Sequence, residues 1–300
     1  MKKRIWLVIG CLVIGLIAVS SYYFYRNMGN KTQTSLVVKK RTANIVAIGD
    51  SLTYGVGDES EHGYVGQIKD KLSKQKNLKI VTHNYGISGE RSDQINKRIG
   101  NEAKLQTNLK KANIIVLTVG GNDLFQNFQK VLFTSSTNGA EQRLSVAQTA
   151  YKQKLLTLMS SIRKYNLTAP IFVFSIYNPF YVYFSNVSLI NQTVSNWNGT
   201  TKNVVNGTAG AHFIDINKTL SDGQYDTPAK RAALLTKNQS ANDGELSLQQ
   251  IENIESNKSE ANKYISDVDN FHPNKRGYQQ MTTALYKSLR KNISWIGADN

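Results

Sequence analysis

The sequence contains a single cysteine, Cys11, which lies in an apolar stretch close to the N-terminus. The rest of the chain therefore has neither disulfides nor thiol chemistry, and its stability must come from its hydrophobic core. The sequence also lacks an internal repeat, a phosphate-binding P-loop and any side-chain spacing typical of a metal site. The Gly-x-Ser-x-Gly motif of the α/β-hydrolases is absent too, which argues against that fold.

Acidic residues are few relative to basic ones, with 21 Asp and Glu against 37 Lys and Arg, so the formal net charge is +16. Such a balance often indicates a nucleic-acid partner. Here the lysines are spread along the chain and no nucleic-acid-binding motif is present, so we expect no nucleic acid. For a domain outside the cell, anionic lipid headgroups or wall polymers are the expected partners. A solvated basic surface without a specific partner is the alternative.

Charged residues are absent from residues 5–25, directly after the basic cluster Lys2-Lys3-Arg4. An apolar stretch of this length can span a bilayer, and the positive charge before it favours a cytoplasmic N-terminus. Residues 1–26 are therefore predicted to be a cytoplasmic basic end and a single-pass transmembrane helix in the cell membrane. Residues 27–43 are predicted to be a tether, and residues 44–292 a catalytic domain on the extracellular side.

Two other interpretations of the N-terminus stay open. Ala18-Val19-Ser20 has the small residues of a signal-peptidase site, and cleavage there would give a secreted protein. The sequence before Cys11 resembles a lipoprotein box, although the apolar run continues well beyond it.

Five short apolar runs are typical of buried parallel strands; they occupy residues 44–48, 79–84, 113–119, 171–176 and 211–216. Helical spacing of apolar residues predicts helices at 63–76, from 91 onward, and at 141–165, 189–205 and 275–291. Alternation of strands and helices implies parallel strands joined by right-handed crossovers. The sequence therefore predicts an α/β fold, a three-layer α/β/α sandwich with a five-stranded parallel sheet.

Residues 217–266 have no strand pattern, although helical pieces are predicted at 228–235 and 247–265. This stretch leads to Asp269, so it could form a cap over the carboxyl edge of the sheet. A helical hairpin on the surface is the alternative.

Polar, glycine-rich segments directly follow the first three predicted strands. They are Gly49-Asp50-Ser51-Leu52, the segment from Asn84 to Gly89, and Gly120-Gly121-Asn122-Asp123. A fourth polar segment, from Asp269 to Pro273, precedes the last helix. Because ligands bind beyond the carboxyl ends of parallel strands, we expect these segments to line one site.

These segments supply the parts of a serine esterase site. Ser51 opens a predicted helix, where its hydroxyl is expected to be exposed, and a hydroxyl nucleophile needs a base that a third group holds in the right tautomer. His272 is the candidate base, and Asp269 the group that holds it. The backbone N–H groups of Ser51 and Gly89 and the side-chain amide of Asn122 are the candidate oxyanion donors.

The four segments resemble the conserved blocks of the SGNH, or GDSL, hydrolase superfamily, with Ser51, Gly89, Asn122 and His272 as its signature residues. The resemblance covers roughly residues 44–290. It implies a flavodoxin-like fold with strand order 2-1-3-4-5, hydrolysis of esters or thioesters, and no metal or organic cofactor. The segment from Tyr177 to Phe180, together with the predicted anchor, resembles the YpmR-like branch from Gram-positive bacteria.

The leading functional hypothesis is a membrane-anchored, extracellular serine esterase or acylhydrolase that works through an acyl-Ser51 intermediate. A non-hydrolytic domain that binds the cell wall or lipid, and an acyltransferase on the same fold, are the alternatives. An intact set of signature residues argues against a pure binding domain. The aromatic segment 180–184 could line an acyl or sugar pocket, or it could be core beneath a loop.

Overall fold

The computed structural model describes residues 19–20, 22–23, 41–58, 62–75, 77–132, 137–241, 247–255 and 261–292. The chain divides into two compact units, residues 1–39 and residues 40–300. In the first unit, the described residues 19–20 and 22–23 are helical. Most of the predicted anchor and tether lies outside the described residues, and among those that are described no helix is long and apolar enough to cross a bilayer. The anchor therefore stays a prediction.

The predicted five-stranded parallel sheet is confirmed, with strand order β2-β1-β3-β4-β5. The strands are β1 (Arg41–Gly49), β2 (Leu78–Gly86), β3 (Ile114–Thr118), β4 (Ile171–Phe174) and β5 (Ala211–Ile214). Gly49, at the end of β1, is in register with Gly86 of β2 and Thr118 of β3. The carboxyl ends of these three strands therefore meet at one edge.

Helices connect the strands, and their bounds in chain order are α1 (Ser51–Tyr54), α2 (Gly63–Ser73), α3 (Ser92–Asn101), α4 (Ala103–Lys110), α5 (Gly121–Leu132), α6 (Thr137–Tyr165), α7 (Ser188–Asn206), α8 (Asn217–Asp222), α9 (Pro228–Ala241), α10 (Leu248–Glu255) and α11 (Lys275–Lys291). Alternate residues of β1 face opposite sides of the sheet. Val46 and Ile48 pack in one hydrophobic cluster with α3 to α7, whereas Ile45 and Ala47 pack in another with α2 and α11. Two cores on opposite faces of one sheet make the predicted three-layer sandwich.

Several bounds differ from the sequence prediction for identifiable reasons. β1 begins at Arg41, inside the predicted tether, because residues 41–43 pair with β2. β4 ends before Ile176, because the backbone N–H of Ile176 donates to the side chain of Asn198 at 2.9 Å. β5 ends before Ile216, because the N–H of Ile216 donates to the hydroxyl of Ser175 at 2.8 Å.

The segment 217–266 contains the helices α8, α9 and α10, whereas its described residues 223–227 and 261–266 are not helical, so the helix predicted at 247–265 does not continue over 261–265. The segment is attached to the loop that follows β4. Asn238 of α9 donates from its side chain to the hydroxyl of Ser185 at 2.9 Å. Ile251 and Ile254 of α10 are buried in the larger hydrophobic cluster. α9 therefore lies against the loop after β4, and α10 lies beside Asn270, whose side chain donates to the carbonyl of Ile254 at 3.0 Å. A cap over the site stays a prediction.

Candidate active site

Tight backbone packing fixes the position of Ser51 between β1 and α1. Gly49 has φ +154°, and a Cβ there would lie 2.3 Å from the hydroxyl of Thr118. Gly86 is equally constrained, since a Cβ there would lie 2.1 Å from the backbone nitrogen of Tyr54. Asp50 caps α1 by accepting a hydrogen bond from the N–H of Leu52 at 3.0 Å. The glycines of these segments therefore let three backbones meet closely around the serine.

The expectation that Ser51 is exposed was wrong. Ser51 is only 6% exposed, and its neighbour Asp50 is 3% exposed. The serine is covered because Thr118, Ile176 and Phe271 line the same small cavity as Ser51. The helix N-cap is Asp50 and not Ser51, so removal of the Ser51 hydroxyl leaves the cap in place.

Ser51, His272 and Asp269 form one chain of hydrogen bonds, as predicted from their residue types. The Ser51 hydroxyl lies 2.8 Å from Nε2 of His272, across 221 residues of sequence. Nδ1 of His272 lies 2.5 Å from Oδ2 of Asp269. An ionised carboxylate can only accept hydrogen bonds, so Nδ1 carries the hydrogen and Nε2 is free to accept the serine proton.

The electrostatic setting keeps Asp269 ionised. Burial raises the pKa of its carboxyl group. Hydrogen bonds from the His272 ring and from the backbone N–H groups of His272 and Phe271 outweigh burial, so the pKa lies below its ordinary value. Both backbone bonds are 3.0 Å long. A carboxylate held in this way orients the imidazole and stabilises its protonated form.

Side-chain hydrogen bonds from distant elements hold the segment between Asp269 and His272, and no local pattern in the sequence predicts them. The hydroxyl of the buried Tyr177 donates to the carbonyl of Phe271 at 2.6 Å. Asn270 has φ +50°, a left-handed conformation unusual for a residue with a Cβ. Its side chain accepts from the hydroxyl of Tyr183 at 3.1 Å and donates to the carbonyl of Ile254 in α10 at 3.0 Å.

The predicted oxyanion donors lie on three segments, and hydrogen bonds tie the segment containing Gly89 to each of the other two. The Asn122 amide donates to the carbonyl of Glu90 at 2.9 Å, which leaves its second N–H available. The N–H of Ile87 donates to the carbonyl of Gly49 at 3.0 Å, so the turn containing Gly89 lies against the end of β1. Gly89 has φ +83°, and no described atom lies within 4 Å of the place where a Cβ would be. Space for a substrate is therefore open beside its backbone.

Two acidic residues, Asp123 and Glu90, make contacts that hold the oxyanion region together. Asp123 accepts hydrogen bonds from the N–H and the hydroxyl of Ser92, at 2.9 and 2.6 Å. Burial raises the pKa of Asp123, although both bonds from Ser92 act against that rise. Arg98 and Glu90 form a partly buried ion pair at 2.7 Å. These contacts join the start of α3 to α5 and so fix Glu90 relative to Asn122.

Asp50 is a second carboxylate beside the serine that sequence reasoning left without a role. Its Oδ1 accepts from the hydroxyl of Thr118 at 2.8 Å, and Thr118 continues through Thr53 to Tyr64 with contacts of 2.8 Å each. Burial raises the pKa of Asp50, against the opposing effects of Thr118, Leu52 and the nearby His272. Asp50 therefore stabilises the start of α1 by capping it and by bonding to Thr118 of β3. Its neutral form is favoured by its surroundings.

Among the described residues, no cluster of His, Cys, Asp and Glu could hold a metal ion. The expected independence from metal and organic cofactors stays a prediction.

The sequence matches a known protein family and is similar to two proteins from Bacillus species. The model of the GDSL-like lipase/acylhydrolase family matches residues 47–280. The protein YpmR of Bacillus subtilis (strain 168), described as uncharacterized, is 29% identical over 292 residues, covering 97% of this chain and 98% of YpmR. The spore germination lipase LipC of Bacillus licheniformis is 35% identical over 89 residues, which are 29% of this chain and 42% of LipC.

Solved structures show the same fold. The lipase Lip_vut3 from a goat rumen metagenome superposes with a TM-score of 0.60 at 22% identity, covering 82% of this chain and 97% of the lipase. A mutant of Axe2, an acetyl-xylooligosaccharide esterase from Geobacillus, superposes with a TM-score of 0.50 at 17% identity, covering 86% of this chain and 95% of that esterase. At these identities the likeness supports the fold alone.

Proposed function

This chain belongs to the GDSL-like lipase/acylhydrolase family and is a carboxylic ester hydrolase, and on that premise we propose that it cleaves its esters through an acyl intermediate on Ser51. The observation that carries this proposal is the hydrogen-bonded chain from the Ser51 hydroxyl through His272 to Asp269, at 2.8 and 2.5 Å. A nucleophile, a base and a group that orients the base are the minimum that serine catalysis requires.

In the first half of the reaction, the Ser51 oxygen attacks the ester carbonyl carbon while its proton passes to Nε2 of His272. The N–H groups of Ser51 and Gly89 and the free N–H of Asn122 donate to the oxyanion that forms. His272 then gives its proton to the leaving alcohol oxygen as the bond between that oxygen and the acyl carbon breaks. Asp269 stabilises the imidazolium between these two proton transfers.

In the second half, water attacks the acyl carbon, and His272 accepts a proton from that water. The bond to the Ser51 oxygen breaks, His272 returns the proton to this oxygen, and the carboxylic acid leaves. One ester and one water thus give one acid and one alcohol, without a further reactant.

We also propose that the domain is held at the outer face of the cell membrane by residues 1–26. The support is in the sequence: an uncharged apolar stretch follows Lys2-Lys3-Arg4. The excess of positive charge would suit anionic wall polymers or lipid headgroups near such a site. Protease added to wall-stripped cells should remove the domain, and full-length protein should fractionate with membranes. Soluble protein that begins at Ser21 would show cleavage after Ser20 instead.

Turnover of a substrate panel tests the catalytic proposal. The full-length protein in detergent should hydrolyse at least one member of a panel of p-nitrophenyl esters, acetylated sugars and lysophospholipid. Ser51→Ala should lose that turnover, whereas Ser73→Ala, which changes an exposed serine at the end of α2, should keep it. Turnover that persists in folded Ser51→Ala would refute the assignment of the nucleophile.

A further inference from the structure

A small cavity opens directly beside the Ser51 hydroxyl. Its volume is about 50 Å³, and its lining includes Ser51, Asn122, Tyr177 and Phe271. His272 is not one of the described residues that line this cavity. The imidazole therefore does not border this cavity.

A second cavity of about 50 Å³ lies next to the first, since the two share several lining residues. The shared residues are Gly121, Ile176, Tyr177, Pro179 and Phe271. Phe128 of α5 and Ile190 and Val194 of α7 belong to the second cavity only. These three side chains are 3 to 6% exposed, so they form a buried wall away from Ser51.

The polar side chains of the second cavity are already bonded within the protein. Asn178 donates to Asn191 at 2.8 Å and accepts from the N–H of Phe180 at 3.0 Å. Thr193 donates to the carbonyl of Leu189 at 2.6 Å. A hydroxylated or charged group placed there would lose its bonds to water without replacement, which is costly. The second cavity therefore favours an apolar group.

Three other residues that line the second cavity, Phe125, Phe180 and Phe271, pack their rings against one another. Phe271 lies 5.2 Å from Phe125 and 5.9 Å from Phe180, measured between ring centres. Phe180 and Phe125 are stacked at 6.4 Å. The ring of Phe271 also contacts the ring of His272, with 5.1 Å between ring centres. The lining of the cavities is therefore in contact with the base.

Proton transfer decides which half of an ester enters the cavities. The leaving alcohol oxygen must lie within reach of Nε2 of His272. The acyl chain is the other substituent of the carbon that Ser51 attacks, so it points away from His272 and toward the cavities. Tyr54 and Ile87, which flank Ser51 and Gly89 in the sequence, are 62% and 45% exposed, so we expect the leaving alcohol on this exposed side.

We propose that the two cavities together are the acyl pocket and that they restrict the enzyme to esters of short acyl chains. An apolar cavity of about 150 Å³ holds benzene, with its six carbons. The cavities here have a combined volume of about 100 Å³, which corresponds to acyl groups of about two to four carbons. Phe128, Ile190 and Val194 set this limit. The inference rests on the proposed role of Ser51.

The test is the acyl-chain profile of the full-length protein. Its kcat/KM is measured with p-nitrophenyl acetate, butyrate and octanoate. We expect the highest value with acetate or butyrate, and a value lower by about tenfold or more with octanoate, since misfit of even one methylene costs about that factor. A profile that peaks at octanoate would overturn the inference.

Variants of the buried wall formed by Phe128, Ile190 and Val194 give a sharper test, because enlarging and filling the pocket should change the acyl-chain preference in opposite directions. Phe128→Ala and the smaller change Ile190→Ala open the wall and should raise the octanoate-to-butyrate ratio by about tenfold. Val194→Phe fills the pocket and should lower the butyrate-to-acetate ratio. Leu158→Ala is the matched control, because Leu158 is fully buried in the same hydrophobic cluster and lines neither cavity.

The outcomes separate this inference from the proposed function. If turnover depends on Ser51 but Ile190→Ala and Val194→Phe leave both ratios at the wild-type values, the acyl pocket lies elsewhere and the inference fails alone. If Leu158→Ala changes the ratios as much as Ile190→Ala, loosening of the core and not the wall sets the profile, and the inference also fails. If no ester is hydrolysed, both proposals fail together.

Discussion

The hydrogen bond from Tyr177 to the loop of His272 offers a precise test of how the base is held. Tyr177→Phe removes only the hydroxyl that donates to the carbonyl of Phe271 at 2.6 Å. Tyr177 is 8% exposed and this bond is partly buried, so the carbonyl loses its donor in a partly buried place. An unsatisfied buried acceptor costs about 1–3 kcal/mol of unfolding free energy. We expect a loss of that size in urea unfolding.

Tyr177→Phe should also lower kcat, because it changes how His272 is positioned. Phe271 lies directly between Asn270 and His272, so release of its carbonyl loosens the segment that carries the base. A displacement of about 1 Å in a reacting group can cost on the order of 10²-fold in rate. We therefore expect kcat to fall between several-fold and that limit, with little change in KM, when steady-state hydrolysis is measured.

Tyr278→Phe is the matched control for this prediction. Its hydroxyl donates to the carbonyl of Val56 at 2.8 Å, so the same chemical loss occurs outside the segment 269–272. It should lose similar stability and keep kcat near the wild-type value. If Tyr177→Phe keeps kcat within about twofold of the wild type, the contact does not position the base and the reasoning is refuted.

Three further predictions follow from the site. Asn122→Ala should lower kcat by about 10²–10³ with little change in KM, because the amide donates to charge that develops during the reaction; a rise in KM at constant kcat would contradict this. Ser51→Ala, His272→Ala and the double variant should lose similar amounts of rate, because the two residues act as a unit; additive losses would contradict it. The pKa of Asp50 is raised above its ordinary 3.8, so wild-type stability should fall relative to Asp50→Asn as pH rises from that value through the higher folded pKa. Urea unfolding of both proteins across that range checks the sign, and a relative gain for the wild type would contradict it.

The parts of the fold that rest on local patterns could be predicted from the sequence. The buried strands are short, β-branched runs such as Ile114 to Thr118, whose length and composition favour a strand between two helical layers. Parallel strands bring their carboxyl ends together, so Ser51, Asn122 and the turn containing Gly89 could be assigned to one site. α11 has the bounds Lys275–Lys291 that its apolar spacing predicts.

What depends on distant packing could not be predicted. The start of α5 at Gly121, within a glycine-rich segment, was not predicted, although Leu124, Phe128 and Val131 recur at helical spacing and indicate the helix itself. The burial of Ser51 depends on side chains from β3, the loop after β4 and the segment 269–272. The contact of Tyr177 with Phe271 joins residues 94 positions apart, and a tyrosine in a sequence does not reveal its partner.

Covalent labelling of the nucleophile tests the central claim most directly. A fluorophosphonate probe reacts rapidly with a serine whose proton is removed by a base within hydrogen-bond distance, and slowly with unactivated hydroxyls. After digestion, peptide mass mapping of the full-length protein should find stoichiometric label on Ser51, little label in His272→Ala, and none at that position in Ser51→Ala. Labelling of a different serine, or rapid labelling of Ser51 that does not depend on His272, would contradict the account.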